Sequence, residues 1–192
     1  MPPTTLNRSL LVTLVPGVIA ISPWVLALLQ YSDVTFGLDK YPAIGYALLF
    51  AAATVAGLLC EGVTSFAEAR WDKERECEYR VQENWTTYLA STFPNEPVGY
   101  RYLARRAVTL YFELAMMCAS PSFVIGVGVL AAFRFPEYER LITYLAIAFA
   151  LVAVAYFRFQ ARVTHELLCR TRRDLNERLA RKSEPGVGAD SR

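Results

Sequence analysis

The sequence predicts an all-α integral membrane protein with four transmembrane helices. Three observations support this fold class. Hydrophobic residues make up 54% of the 192 residues, whereas charged residues make up only 20%. The mean hydropathy of +0.25 is high for a soluble domain of this size. The charged residues are also segregated, since long stretches contain none, which excludes a disordered chain, a secreted disulfide scaffold and an ordinary soluble enzyme.

Four apolar segments approach or exceed the ~20 residues that a helix needs to cross about 30 Å of hydrocarbon. They are residues 10–30, 43–66, 107–133 and 141–157. The first segment follows Arg8 and resembles a signal peptide, but it is long and lacks a clear small-x-small cleavage site. We therefore expect it to be retained, so that residues 1–192 form a single four-helix transmembrane unit.

The distribution of lysine and arginine predicts the orientation, because their excess stays on the cytoplasmic side. The N-terminal segment, the loop 67–106 and the chain from residue 158 onward hold 17 of these residues. The two other loops hold 3. Both termini and the long middle loop are therefore predicted to be cytoplasmic, with the protein in the plasma (inner) membrane.

The cytoplasmic parts are predicted to be helical. The loop 67–106 begins as an uninterrupted extension of the second span, because Gly and Pro are absent between residues 62 and 94. Trp71 and Trp85 lie on its amphipathic stripe and are the candidate partner-facing residues. A straight extension is too long for the return path to the third span. We therefore expect it to bend, to lie along the membrane surface or to end early, with a turn at 94–99.

The last helix is also expected to continue beyond its span. Gly and Pro are absent between residues 136 and 185, so 158–183 is predicted to be a cytoplasmic helical tail. The leucines of this tail are compatible with either of two roles, packing on the middle loop or self-association. The final residues 184–192 are predicted to be disordered.

Two carboxylates inside predicted spans are the main candidate functional residues. Glu61 lies near the inner end of the second span, and Glu113 about two turns into the third, so both are expected at similar depth in the cytoplasmic leaflet. An ionised acid at bilayer depth costs on the order of 3 kcal/mol, so each should face protein or water. Two roles stay open: ion pairs with basic residues such as Arg106 and Arg158, or the lining of a cation pathway.

The sequence predicts no catalytic residue, metal site or cofactor. Its one histidine, His165, excludes bis-histidine haem ligation within one chain and the paired Glu-x-x-His motifs of di-iron bundles. Nucleotide-binding, serine-hydrolase and zinc-protease motifs are absent. His165 lies on the basic tail and is interpreted as a solvated or packing residue.

The leading functional hypothesis is a homo-oligomeric channel or pore-forming effector gated through its cytoplasmic helices. The alternative is a non-conducting membrane adaptor or sensor that recruits a soluble partner through 67–106 and 158–183. A membrane-embedded enzyme is third, because Glu61 and Glu113 could form an acid/base pair but have no accompanying nucleophile or metal set. The expected partners are the lipid bilayer, further copies of the chain and a cytoplasmic protein. Nucleic acid is not expected, since the net charge is only +2.

Overall fold

Helices account for nearly all of the computed structural model, which describes residues 4–31, 42–90 and 98–183. The helices are α1 (Thr4–Tyr31), α2 (Pro42–Tyr79), α3 (Val81–Ala90), α4 (Val98–Arg134) and α5 (Glu139–Ser183). A short 3-10 turn, Pro136–Tyr138, connects α4 to α5. Helices α1, α2, α4 and α5 are each long and apolar enough to span a membrane, which confirms the predicted all-helical, multi-pass architecture. The end 184–192, and most of the turn expected at 94–99, lie outside the described residues.

Helix α1 packs against both α2 and α4, and glycines allow its close approach to α2. A Cβ atom at Gly17 would collide with the backbone carbonyl of Ala53 on α2. A Cβ atom at Gly57 would likewise collide with the backbone carbonyl of Thr13 on α1. Small residues at a crossing let two helix backbones approach closely, which is the usual basis of helix association in membranes.

Serine hydroxyls satisfy carbonyls around the proline in the second half of α1. Pro23 has no N–H to donate to the carbonyl of Ile19, and the Ser22 hydroxyl donates to that carbonyl instead at 3.2 Å. On α4, the Ser122 hydroxyl donates to the carbonyl of Ala20 at 2.9 Å. This second bond ties α1 to α4 at the level of the proline.

The most extensive helix contact is the antiparallel packing of α4 on α5. Gly128 lies against Ala146, and the Glu113 carboxylate lies within hydrogen-bonding reach of the Thr164 hydroxyl, so the two helices keep one register over most of their shared length.

Helix α2 continues to Tyr79 and then changes direction at a single residue. Arg80 has a φ of 46°, and it is the one non-glycine residue with positive φ in the described ranges. Its N–H still donates to the carbonyl of Glu76 at 2.9 Å, and the Glu76 carboxylate accepts from the N–H of Gln82 at 3.1 Å. The side chain of Glu76 thus caps the start of α3, as acceptors near helix N-termini commonly do.

The largest cluster of buried apolar side chains lies at one end of the bundle, which we call the polar end and define as residues 67–90, 98–114 and 158–183. This cluster draws on α2, α4 and α5, and its buried members are Trp71, Leu103, Leu110, Leu114, Ala161 and Leu168. The charged helical extensions are therefore packed on one another with a core of their own.

The apolar segment of α5 is barely covered by the rest of the chain. Only 6% of its most apolar window is buried, against 33% for the corresponding window of α4. Its exposed side chains are large and apolar, and they include Leu145, Phe149 and Val152. This face needs lipid or another protein chain as its surroundings.

Alanine at position 57 should destabilise the fold, because its Cβ would meet the α1 backbone. We expect Gly57→Ala to lower the free energy of unfolding by about 1–3 kcal/mol, the usual cost of overpacking. Gly62 on the same helix is the matched control, since nothing lies within 4 Å of a Cβ added there. Gly62→Ala should change stability by less than about 1 kcal/mol, and in the stabilising direction. Thermal unfolding in detergent measures both; equal effects would contradict the close crossing.

Candidate functional site

His165 is the centre of a polar cluster that joins α2 to α5 at the polar end. The residue is only 3% exposed. Its Nε2 lies 2.8 Å from Oδ1 of Asp72, and its Nδ1 lies 2.8 Å from Nη1 of Arg75. The imidazole also packs edge-on against the Trp71 ring, with 5.8 Å between ring centroids. The sequence-based interpretation of His165 as a solvated or packing residue therefore missed its hydrogen-bonding role.

Arg75 extends the cluster to the surface of α5. Its Nη2 lies 3.1 Å from the Glu166 carboxylate, and both terminal nitrogens donate to the Arg162 carbonyl at 3.4 Å. The Arg75 side chain is only 12% exposed, whereas that of Glu166 is 58% exposed. A largely buried guanidinium that donates to several acceptors on α5 fixes the distance and the relative rotation of α2 and α5.

The contacts of His165 determine its protonation state, and the residue lies beyond the apolar segment 141–157. Burial lowers the pKa of the imidazole, but hydrogen bonds with Asp72 and Cys169 outweigh burial and raise the pKa to about 9 if Nδ1 can take a proton. In the structure Nδ1 faces the Arg75 guanidinium, which can only donate. The ring is therefore neutral, with Nε2–H donating to Asp72, and Arg75 keeps it so.

Asp72, His165 and Cys169 also have the composition of a metal-ligand set. One ligand atom from each lies within 4.8 Å of the others. The Cys169 sulfur is 3.9 Å from Nδ1 of His165, but that same nitrogen is occupied by the Arg75 guanidinium. A fixed positive charge at this position disfavours a metal cation, so the residues are better explained as a hydrogen-bonded tie between helices.

Glu113 lies on α4 and faces α5. Its carboxylate lies within hydrogen-bonding reach of the Thr164 hydroxyl and within electrostatic range of Arg106. Its Oε2 atom is buried and has no hydrogen-bond partner among the described residues. Glu113 therefore lies between α4 and α5, and one of its two carboxylate oxygens has no partner among the described residues.

Glu61 lies deeper in the bundle than Glu113. Its neighbour Cys60 lies within hydrogen-bonding reach of Cys118 on α4, so Glu61 is level with that part of α4. Glu113 lies about one helical turn closer to the polar end, or ~5 Å along the axis. The Glu61 side chain is half-buried. The structure therefore does not bring the two acids together as a pair at one depth.

The two candidate arginines do not form the expected ion pairs. Arg158 is exposed and makes no ion pair with either glutamate within the described ranges. The Nε of Arg106 donates to the Tyr102 hydroxyl at 3.0 Å, and its guanidinium lies 5.3 Å from the centroid of that ring. Neither contact neutralises Glu113 directly.

Trp71 and Trp85, both expected to face a partner, have different environments. Trp71 is 4% exposed and packs inside the polar end, so its assignment to a partner surface is wrong. At Trp71 the amphipathic stripe that suggested a free surface is instead covered by α4 and α5. Trp85 on α3 is 43% exposed, and the Arg172 guanidinium lies 4.4 Å from the centroid of its ring.

A cavity lies at the opposite end of α4 and α5 from the polar end. It has a volume of 340 Å³ and is lined mainly by apolar side chains, among them Ile125, Val129 and Phe133. Its position in the apolar segments makes it a lipid-facing groove in a membrane-inserted chain.

No protein-family model, curated protein or solved structure matches the chain at a significant level. The functional argument therefore depends on the chemistry of this chain alone.

Removing the Asp72 carboxylate should destabilise the polar end, because Nε2–H of the buried His165 would lose its acceptor. We expect Asp72→Ala to lower the free energy of unfolding by about 1–3 kcal/mol. Glu74→Ala is the matched control on the same helix, since Glu74 makes only exposed pairs with Arg70 and Arg162. That variant should cost less than about 1 kcal/mol. Equal losses of stability in the two variants, measured by thermal unfolding, would contradict the role of the Asp72–His165 hydrogen bond in joining α2 to α5.

Removing the Arg75 guanidinium should charge the ring of His165. In Arg75→Met we expect the pKa of His165 to rise above its ordinary value of 6.5, because the hydrogen bond with Asp72 favours the charged ring and the guanidinium no longer faces Nδ1. His165 is the single histidine, so NMR of the isotope-labelled imidazole in an untagged chain reports this pKa directly. A pKa raised on folding stabilises the variant below pH 6.5, and this stabilisation is lost as pH rises through the raised pKa of the folded state.

Arg70→Met is the control for this titration, because Arg70 is exposed and pairs only with Glu74. It should leave the wild-type titration of His165 unchanged. If Arg75→Met also titrates like the wild type, the assignment of Arg75 as the group that holds His165 neutral fails.

Proposed function

We propose that the chain is a subunit of a homo-oligomeric cation channel in the plasma (inner) membrane, gated through its polar end. In this proposal the polar end and both termini are cytoplasmic, because 17 of the 20 lysines and arginines lie in those parts of the chain. The polar end receives a signal, and the spans carrying Glu61 and Glu113 respond to it.

The observation that carries the proposal is the position of two consecutive residues on α5. The Thr164 hydroxyl lies within hydrogen-bonding reach of Glu113 on α4, and His165 hydrogen-bonds Asp72 on α2. Successive residues of a helix point about 100° apart, so α5 contacts both neighbours at the same level. A rotation or shift of α5 therefore changes the contacts of the acid and of the polar cluster together.

Oligomerisation follows from the exposed face of α5 and from the size of the subunit. One chain contributes four long helices, of which α5 leaves most of its apolar segment uncovered. A closed ring of copies would bury part of this face and could surround a path that one chain is too small to enclose. Carboxylates along such a path favour cations over anions.

A membrane adaptor that recruits a soluble protein is the second candidate. The exposed part of Trp85 supports it, since a half-exposed aromatic ring is a typical anchor for a partner. The burial of Trp71 removes the other half of the partner surface on which this candidate was based. The channel therefore remains the better-supported function.

Ion flux into liposomes that contain the purified protein tests the channel. We expect Glu113→Gln and Glu61→Gln each to lower cation flux about tenfold, the effect of ~1.4 kcal/mol on the barrier. Thr164→Val should alter the flux as well, because it removes the donor to Glu113 without changing side-chain volume. Glu177→Gln is the control, since Glu177 is exposed on the far part of α5 and pairs only with Arg173.

The proposal fails if neither the wild type nor a variant with a loosened polar end, such as Asp72→Ala, conducts ions. It also fails if both glutamine variants conduct like the wild type. Cross-linking of the protein in membranes that yields only monomers bound to a soluble protein would favour the adaptor.

A further inference from the structure

The cavity of 340 Å³ at the end of the bundle opposite the polar end is a groove between α4 and α5. Its floor consists of small residues, since Gly128, Ala132 and Ala146 line it and are half-buried. Its rim consists of larger apolar side chains, among them Ile125 and Ile147, which are exposed. A floor of small residues below an exposed apolar rim forms a slot that opens toward the surroundings of the bundle, and in a membrane-inserted chain these surroundings are lipid.

The groove changes from polar to apolar along its length. Glu139 and Thr143 line the part nearest the connection between α4 and α5, and they lie one turn apart on one face of α5. Ile147 lies one turn further along that face and lines the deeper part. From Glu139 to Ile147 the helix rises ~12 Å. One leaflet supplies half of the ~30 Å of hydrocarbon in a bilayer, so the groove extends from a polar mouth through most of one leaflet.

The mouth of the groove offers acceptors of hydrogen bonds. The Glu139 carboxylate is exposed and makes no ion pair within the described ranges. The Thr143 hydroxyl donates to the backbone carbonyl of Glu139 at 2.8 Å, so the lone pairs of its oxygen stay available. Arg134 and Arg140 are exposed nearby in the sequence, but neither lines the groove. The mouth therefore complements a cationic group that donates hydrogen bonds.

We infer that this groove binds one acyl chain of a bilayer phospholipid with an ethanolamine headgroup, whose ammonium group lies against Glu139 and Thr143. The volume is at the small end of the range for ligand pockets, so it accommodates one chain and leaves the second chain in the bilayer. Lipid tails are as apolar as the groove itself, so the tail contributes shape complementarity and little preference among lipids. Selection among lipids therefore depends on the contact between the ammonium group and the carboxylate.

The choice of headgroup follows from the donors and charges that each lipid offers. An ethanolamine ammonium has three N–H donors, as the lysine side chain has, and can donate to both acceptors at the mouth. A choline group has the same charge but no N–H. A glycerol headgroup has no cation, and the Glu139 carboxylate repels its phosphate. Lipid binding of this kind does not depend on ion conduction, and the two are measured separately.

Native mass spectrometry of the full chain in a neutral detergent tests the inference, with ethanolamine, choline and glycerol phospholipids of identical acyl chains as probes. We expect retention of the ethanolamine lipid to exceed that of each other lipid at least about fivefold, the effect of one exposed ion pair. Absence of retained lipid overturns the inference. Equal retention of the three lipids also overturns it, because it indicates nonspecific association with the apolar surface, as does preference for the glycerol lipid, which indicates an anion site.

A substitution at the mouth identifies the residue that selects the headgroup. Glu139→Gln should abolish the preference for the ethanolamine lipid, a loss of about fivefold in its retention. Glu137→Gln is the matched control, since Glu137 lies in the same connection but does not line the groove. It should leave the preference unchanged. A folded Glu139→Gln protein that still prefers the ethanolamine lipid overturns the inference.

A substitution in the floor locates the acyl chain. Ala132→Leu places a larger side chain in the groove and should lower the retention of all three lipids. Ala148→Leu, at an exposed position of α5 outside the groove, should leave their retention unchanged. Equal retention by the two folded variants overturns the assignment of the groove. If Ala132→Leu unfolds, Glu139→Gln decides the test by itself.

Discussion

The short connection between α4 and α5 constrains the rest of the structure. Only a 3-10 turn separates Arg134 from Glu139, so the two helices must lie side by side and antiparallel in one register. This register places Thr164 opposite Glu113, and the next residue, His165, then faces α2. The helices of the polar end therefore meet on α5. The positions of Thr164 and His165 depend on the turn at the opposite end of the bundle, because this turn sets the register of α5.

The polar cluster determines how α2 and α5 meet. Their hydrogen bonds and ion pairs lie at the polar end, where Asp72 and Arg75 of α2 reach His165 and Glu166 of α5. Apolar packing alone would permit neighbouring rotations of α5 with little difference in free energy. Buried hydrogen bonds remove this degeneracy, because a rotated helix would leave His165 unpaired in a nearly dry environment. The cluster is thus best regarded as a source of conformational specificity, with a modest net contribution to stability.

The sequence was sufficient to predict the number of long helices. A helix that crosses a bilayer needs about 20 consecutive apolar residues, and few other structural elements contain apolar segments of this length. It was insufficient for the polar end. Ala161, Leu168 and Leu175 recur every seven residues, and His165 lies one turn after Ala161, so the burial of this face had a periodic signal. Packing of the tail leucines on the middle loop was accordingly one of the two alternatives in the sequence analysis, but the flanking charges of Arg162 and Glu166 led to His165 being interpreted as a solvated or packing residue. The sequence also did not reveal that Glu61 and Glu113 lie about one helical turn apart in level, because segment ends on adjacent helices can be compared only once their register is known.

The corner at Arg80 restricts which sequences can build this polar end. No Gly or Pro marks it, and the break arises because α3 packs back against α5. A left-handed backbone costs an ordinary residue about 1–2 kcal/mol and a β-branched residue more, whereas glycine adopts it freely. In diverged chains that keep this corner, position 80 should therefore vary among glycine, asparagine and unbranched residues, and exclude valine, isoleucine and threonine. A left-handed corner that lacks glycine therefore restricts which substitutions position 80 can accept during evolution.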